Sequence, residues 1–522
     1  MVLTLKRELG TFSLIFIAVI TVIGSGILVI PATASSLAGP ASILAVVVAG
    51  ISMIIFILLY AEIGSELPLS GGTVRYPDIS HGKAMSSMVG FGLLLAYIVS
   101  PPLVLEVMLS YMSAYIPGIY ANGALTLFGI LIASIIFIIF FIPNLVGVKI
   151  TGILSNILGV IKVAIISFFV IAILLFTMHF SNFTRYGFLP YGFGGVGLAV
   201  GAGGLFFAFT GFRLIVDYAG EAKFPKKSMV RSLIISVSIV FIIYVLMQIG
   251  FIGSINWSHL ASVGVVTGNW ASISSLSSPL SQIALSNNLP WLSVIILFFA
   301  IYSPLVFVVP VLGAEARLVM GLADNGYLPK KLSELHKRFR TPYIAIIIIL
   351  VLSIASLFLL PKYTSILSVV SSAYGYTYAT VGVQYIVIRN KLPSNRFKVP
   401  FGTLLAPVSM FLGSLIVFWS FYPYTLYGFI IMIIVLPIYF YYTRRDLPFI
   451  KADFKNGGWF LVYAALLVLI SYAGPTEYGG VGLINSNLTY LLLLIISLVF
   501  YYVGYKSGRK EIDLKQLAVT ES

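Results

Sequence analysis

Lys162, Glu106 and Arg213 each stand inside a long apolar run: ILGVIKVAIISFF, PPLVLEVMLSYMSAYIPG and FFAFTGFRLIVDYAG. An ionisable group in a nonpolar setting is costly, and where one is kept it commonly holds or moves an ion or a proton. Lys162 offers three N–H donors and either carries function or simply pairs with backbone carbonyls. Glu106 is either a proton carrier or the counter-charge to a buried cation. Arg213 does not deprotonate. It either pairs with Asp217, four residues on along one helix face, or faces a ligand and reads an anionic group.

A different chemistry belongs to TVIGSGILVIPA, residues 21–32. No charged residue occurs between Glu8 and Glu62, yet Gly24-Ser25-Gly26 interrupts this stretch and Pro31 follows. Glycine costs roughly 1 kcal/mol relative to alanine in a helix interior. In a bilayer, each freed N–H or C=O also needs a new partner. A break at Gly24–Gly26 frees amides at the start of a second half-helix, a seat suited to a carboxylate. The carbonyls that end the first half-helix suit an ammonium. A matching break near Phe209–Gly211, in FAFTGFR, would supply the same poles on a facing helix. A ligand with a carboxylate and an ammonium on one carbon fits both, and that describes an α-amino acid.

These groups need elements to hold them. Hydrophobic residues make up 60% of the 522 and charged residues 9%, where a soluble domain carries about 25% charge. Apolar runs of about 20 residues recur, and the chain reads as an all-α integral membrane protein with about fourteen spans. The run after Lys6-Arg7 is too long for the apolar region of a secretory signal, so the first helix stays. The net charge of +15 resembles a nucleic-acid signature only in total. Nearly all of the 31 Lys and Arg fall in alternate loops and in the two tails. Arg185 and Lys362 lie on the opposite face, and Lys162 and Arg213 lie within spans. By the positive-inside rule both termini are cytoplasmic and the chain is multi-pass in the cell membrane. Nucleic acid is not expected as a partner; anionic lipid is. Sequons at Asn182, Asn256 and Asn487 fall on the expected outer face. The charge-free loop 254–288 carries Trp257 and Trp270, which suggests that it lies on the membrane interface.

The organisation follows from an echo. The first span is broken at GSG and the sixth at FAFTGFR, each opening a set of five spans. Five is odd, so the second set starts from the other face. That is the LeuT-type 5+5 inverted repeat of a transporter, with its substrate site at the breaks. The glycines of GFGGVGLAVGAGG (192–204) fit close helix packing better than they fit a break. The resulting plan is a tail 1–11, repeats 12–178 and 187–390, a four-helix extension 401–505 and a tail 506–522.

The run 21–32 resembles the first-helix signature of the amino acid–polyamine–organocation (APC) superfamily. YAEIGSELPLSGGTVRYPDISHG (60–82), FFAFTGFRLIVDYAGEAKFPKKSMVRS (206–232) and ARLVMGLADNGYLPKKLSELHKRFRTPYIAI (316–346) are similar to three further motifs of that family, in the same order. The resemblance covers residues 12 to about 390. It implies that the substrate carboxylate sits on the amides of Ser25, Gly26 and Ile27, beside Gly24. The ammonium then meets the carbonyls of Ile23, Phe207 and Thr210 near Gly211, and the Phe207 ring walls the pocket. It also implies that Lys162 stands where sodium-driven relatives bind their ion. Arg213 departs from the pattern, since relatives often have Glu, Asp or Asn there.

The expectation is a secondary active amino acid transporter that works by alternating access, coupled to protons and independent of sodium. Exchange of one amino acid for another is the alternative within the class; a non-transporting receptor or channel is the alternative outside it. Neither an enzyme nor a cofactor is expected. His81, His179, His259 and His336 are scattered, and with zero cysteines they make no metal-ligand pattern.

Overall fold

A computed structural model describes residues 5–113, 116–121, 124–358, 363–392, 397–443 and 447–510. Most of the expected C-terminal tail, Lys362, and parts of the basic segments at 393–396 and 444–446 lie outside the described residues. The fold is all-helical apart from a short hairpin that pairs Tyr120–Ala121 with Ala124–Leu125. Among the described residues, nine helices are long and apolar enough to cross a membrane, or up to eleven if each bent pair is one span. The chain is therefore a multi-pass membrane protein. The fourteen expected spans exceed that number partly because breaks shorten helices. Thr11–Val22 and Tyr343–Leu357 remain as shorter apolar helices, and Gly26–Glu66 forms one long helical stretch.

The helices that matter for the site, in chain order, are α1 (Thr11–Val22), α2 (Gly26–Ala38), α3 (Lys83–Met112), α4 (Val148–Phe176), α5 (Gly192–Val200), α6 (Leu205–Phe209), α7 (Leu214–Asp217), α8 (Pro225–Gly253), α9 (Pro290–Asp324) and α10 (Tyr363–Ala379). The first break falls where the glycines place it. α1 stops at Val22, and Gly24 N–H turns back to the Val22 carbonyl at 2.8 Å. α2 then starts at Gly26 with no side-chain cap. α1 packs against α4, α8, α9 and the turn Thr210–Arg213.

The second break departs from the expected place. The bend of 44° lies between α5 and the segment Leu205–Asp217, at Gly201–Gly204. Phe207 and Phe209 are α-helical, and Thr210–Arg213 is a 3-10 turn. Backbone space decides this. Gly204 adopts φ +82°, a left-handed conformation that glycine alone takes freely. A Cβ on Gly201 would collide with the Trp419 backbone. The glycines assigned to packing thus make the bend, while Gly211 does the packing, since its Cβ would strike the Thr21 carbonyl.

Segments expected on one face do meet. Leu9 N–H donates to Glu221 O at 3.0 Å and Lys223 N–H to Leu9 O at 2.9 Å. On the same principle Arg509 N–H donates to Ser80 O at 2.8 Å, and its guanidinium lies 3.7 Å from Asp453. The tryptophan expectation is corrected. Trp257 and Trp270 are buried, stacked edge-on at 5.1 Å, and Trp257 donates to Asn182 Oδ1 at 3.1 Å. They pin the loop onto the helices rather than presenting it to lipid. Asn182, in turn, is buried with its amide donating to Ile255 O at 2.8 Å, so this sequon offers no accessible acceptor.

Candidate functional site

Where α1 ends and α2 begins, three amides have lost their helical acceptors. The N–H groups of Ser25, Gly26 and Ile27 make no hydrogen bond among the described residues, and the first that does, Leu28, reaches Ser25 O at 3.0 Å. They lie beside a cavity at the break. Gly24, Gly26, Phe207, Thr210 and Gly211 line it. Ile23 and Ser25 are not among the residues lining it, and Ile27 lines a second cavity. Five of the eight expected positions are thereby brought to one space.

The carbonyls are less free than the amides. Ile23 O accepts from Ser303 Oγ at 3.2 Å, Phe207 O from Thr210 Oγ1 at 2.8 Å, and Thr210 O from Tyr378 OH at 3.3 Å. Phe207 O also accepts from the Thr210 backbone N–H, whereas Ile23 O keeps a second lone pair for an ammonium. Phe207 lines the cavity and stacks with Tyr374 at 6.3 Å, so the aromatic wall is present.

Lys162 is fully buried on α4. Its ammonium donates to Ile20 O of α1 and Ser303 O of α9, both at 3.0 Å. One cation thereby joins three helices just before the first break. Glu106 stands apart from it, near the far end of α3, where Tyr120 OH approaches one carboxylate oxygen at 3.5 Å.

Arg213 and Asp217 do not form a direct ion pair. Arg213 Nε donates to Tyr97 OH at 3.0 Å, and Tyr97 OH donates to Asp217 Oδ2 at 3.0 Å. Asp217 Oδ1 accepts from Thr73 Oγ1 at 2.6 Å. The tyrosine stands between the two charges, and both are buried.

The sequence reading misses several groups. Tyr97 and Tyr374 line the cavity, and nothing in the sequence separates them from the rest of the 31 tyrosines. Glu315 on α9 is fully buried, with no hydrogen-bond partner for either oxygen. Glu221 and Arg317 pair in the interior through two contacts, one of them Nη2 to Oε1 at 2.8 Å; Tyr218 lies 4.3 Å from the guanidinium. Both lie in quoted motifs, and that was the available signal. Among the described residues no group of His, Asp and Glu could hold a metal ion.

A broken helix with vacant amides beside an aromatic-walled cavity offers a carboxylate a seat. The sequence profile of amino acid permeases matches residues 9–436. The chain belongs to the amino acid permease family. It is similar to the glutamate/serine transporter AimA of Bacillus subtilis (strain 168), at 31% identity over 98% of this chain and 96% of that one. It is also similar to the aspartate-proton symporter of the same organism, 28% identical over 96% and 97%. A third relative there, the branched-chain amino acid permease BcaP, is 27% identical over 85% and 94%. The family and these relatives are transporters, not enzymes. The permease profile covers both breaks, Lys162 and the Arg213 segment.

Proposed function

We propose that the chain is a secondary active transporter that carries an amino acid across the cell membrane by alternating access, coupled to protons and independent of sodium. The framework is a 5+5 inverted repeat, 12–178 and 187–390, within about fourteen spans. The helices of 401–505 form an extension, and both termini are cytoplasmic. The observation that carries this reading is the vacant amide set of Ser25, Gly26 and Ile27 beside the cavity that Gly24, Gly26 and Phe207 line. It offers a carboxylate a dipole-backed seat, with the Ile23, Phe207 and Thr210 carbonyls as the ammonium pole.

Lys162 supports sodium independence. Its ammonium occupies the gap between α1 and α9, and a fixed positive charge there repels a sodium ion. Giving up its proton would release Ile20 and Ser303 and loosen the tie between helices, which links proton movement to alternating access. A relative named as a proton symporter supports a proton as the coupling ion. The relatives' named substrates run from acidic through hydroxylated to branched aliphatic, so they leave the side chain open.

Purified protein in sealed proteoliposomes tests the reading with a panel of radiolabelled amino acids. Accumulation above equilibrium under an imposed pH gradient, with no response to a sodium gradient, is expected. Equilibration without accumulation under either gradient would mean a channel or a facilitator and would remove coupling.

A further inference from the structure

We propose that Arg213 is the side-chain subsite of the substrate cavity and selects amino acids that carry a second carboxylate. The proposal rests on the reading of that cavity as the substrate site.

Arg213 is 1% exposed and remains charged wherever it is placed. Of its five N–H donors, only the Nε donor has an acceptor, the Tyr97 hydroxyl. Neither Nη1 nor Nη2 has one. The nearest acid on its own segment is already committed, since Asp217 accepts from Thr73 and from Tyr97. What surrounds the guanidinium instead is aromatic. Tyr97 and Tyr374 each hold a ring centroid 4.7 Å from it and Tyr378 one at 5.5 Å. Such faces attract a cation but accept no directed hydrogen bond from the fork. A buried charge of this kind is compensated only when its donors are satisfied, so the terminal amino groups are poised for an acceptor the chain does not provide.

The position identifies the acceptor's source. Tyr97 and Tyr374, which flank the guanidinium, are cavity walls, and so are Thr210, Gly211 and Leu214 on either side of Arg213 in sequence. An anion reaching past those rings comes from the cavity. A planar fork with both amino groups vacant matches a carboxylate in bidentate fashion. The α-carboxylate has its own seat on the amides of α2. Two anion poles with an ammonium pole between them describe an amino acid with an acidic side chain.

The comparison that tests this needs no variant at first. Glutamate and glutamine have nearly the same shape and differ in the charge that Arg213 would read, as do aspartate and asparagine. In competition for uptake into proteoliposomes, the acids should bind about 10- to 100-fold more tightly than their amides, the usual span for losing a charged hydrogen-bond partner. Arg213→Gln should remove that preference, and a single sharp size-exclusion peak in detergent at the position of the unmodified protein shows that the variant folds. Equal competition by glutamate and glutamine in the unmodified protein, or an unchanged ranking in a folded Arg213→Gln, would overturn the proposal. If the variant takes up nothing, the acid-against-amide comparison on the unmodified protein decides. Failure of the unmodified protein to take up any amino acid would instead overturn the transporter reading on which the proposal stands.

Discussion

Lys162 holds Ile20 across the gap between two helices, with its ammonium 3.0 Å from the carbonyl oxygen. Ile20 is the acceptor because α1 ends two residues later, so this carbonyl has no N–H four positions on in a continuing helix. The lysine thus satisfies a group that the break itself leaves open. The same ammonium reaches Ser303 O, and Ser303 Oγ reaches Ile23 O, so α4, α9 and the break form one connected set.

Removal of that cation has a defined consequence. Lys162→Ala should abolish gradient-driven accumulation while leaving some substrate binding, because the amides of α2 are untouched. Lys162→Arg should fail as well, since arginine keeps its charge across the useful range. Proteoliposomes with a proton or a sodium gradient imposed separately distinguish these outcomes. Full proton-driven uptake by Lys162→Ala, or sodium-dependent uptake by the unmodified protein, would take Lys162 out of the mechanism.

The two glycines of the first break should respond differently. A Cβ on Gly26 would lie 2.9 Å from Ile30 Cδ1 and 4.0 Å from Ala208 Cβ, and a longer side chain would enter the cavity. Gly26→Leu should therefore abolish binding. A Cβ on Gly24 meets Phe307 at 3.6 Å, an ordinary contact, so Gly24→Ala should fold and retain measurable affinity. Binding isotherms on both variants check the pair, and a Gly26→Leu protein with native affinity would refute the amide seat.

How much of this was legible can be judged residue by residue. The first break was readable because glycine has a local cost that needs a local reason. The second was displaced because two glycine-containing runs lay within a dozen residues, and only the backbone of Trp419 and the φ of Gly204 select between them. Arg213 and Asp217 obey an i,i+4 spacing that assumes 100° per residue. The 3-10 turn Thr210–Arg213 advances about 120°, and Thr73, far away in sequence, claims the carboxylate. Tyr97 between them is a tertiary contact with no sequence trace. Trp257 and Trp270 were misplaced for the opposite reason: an interface preference is an average, and here two rings find each other and a buried asparagine.

The Arg317–Glu221 pair gives a stability prediction. Both groups are buried, and the Glu221 carbonyl also anchors Leu9 of the N-terminal segment. Glu221→Ala leaves an uncompensated buried guanidinium and should cost about 3–5 kcal/mol. Removing both charges, as in Glu221→Ala with Arg317→Met, should cost clearly less than the sum of the single changes. Unfolding in detergent, followed across the four proteins of this cycle, measures the coupling; additive costs would mean that the pair contributes little as a pair.

Orientation can be tested because the chain has no cysteine, so any thiol is one that has been introduced. The charge asymmetry places 219–228 and 321–341 in the cytoplasm and 254–288 outside. Lys330 and Ser262 are exposed in those segments, so neither substitution disturbs packing. A membrane-impermeant thiol reagent applied to intact cells should label Ser262→Cys and spare Lys330→Cys until the membrane is opened. A second support is structural: the N-terminal segment pairs with residues 221–223, and Arg509 pairs with Ser80, so the members of each pair lie on the same face. Labelling of Lys330→Cys in intact cells would overturn this orientation.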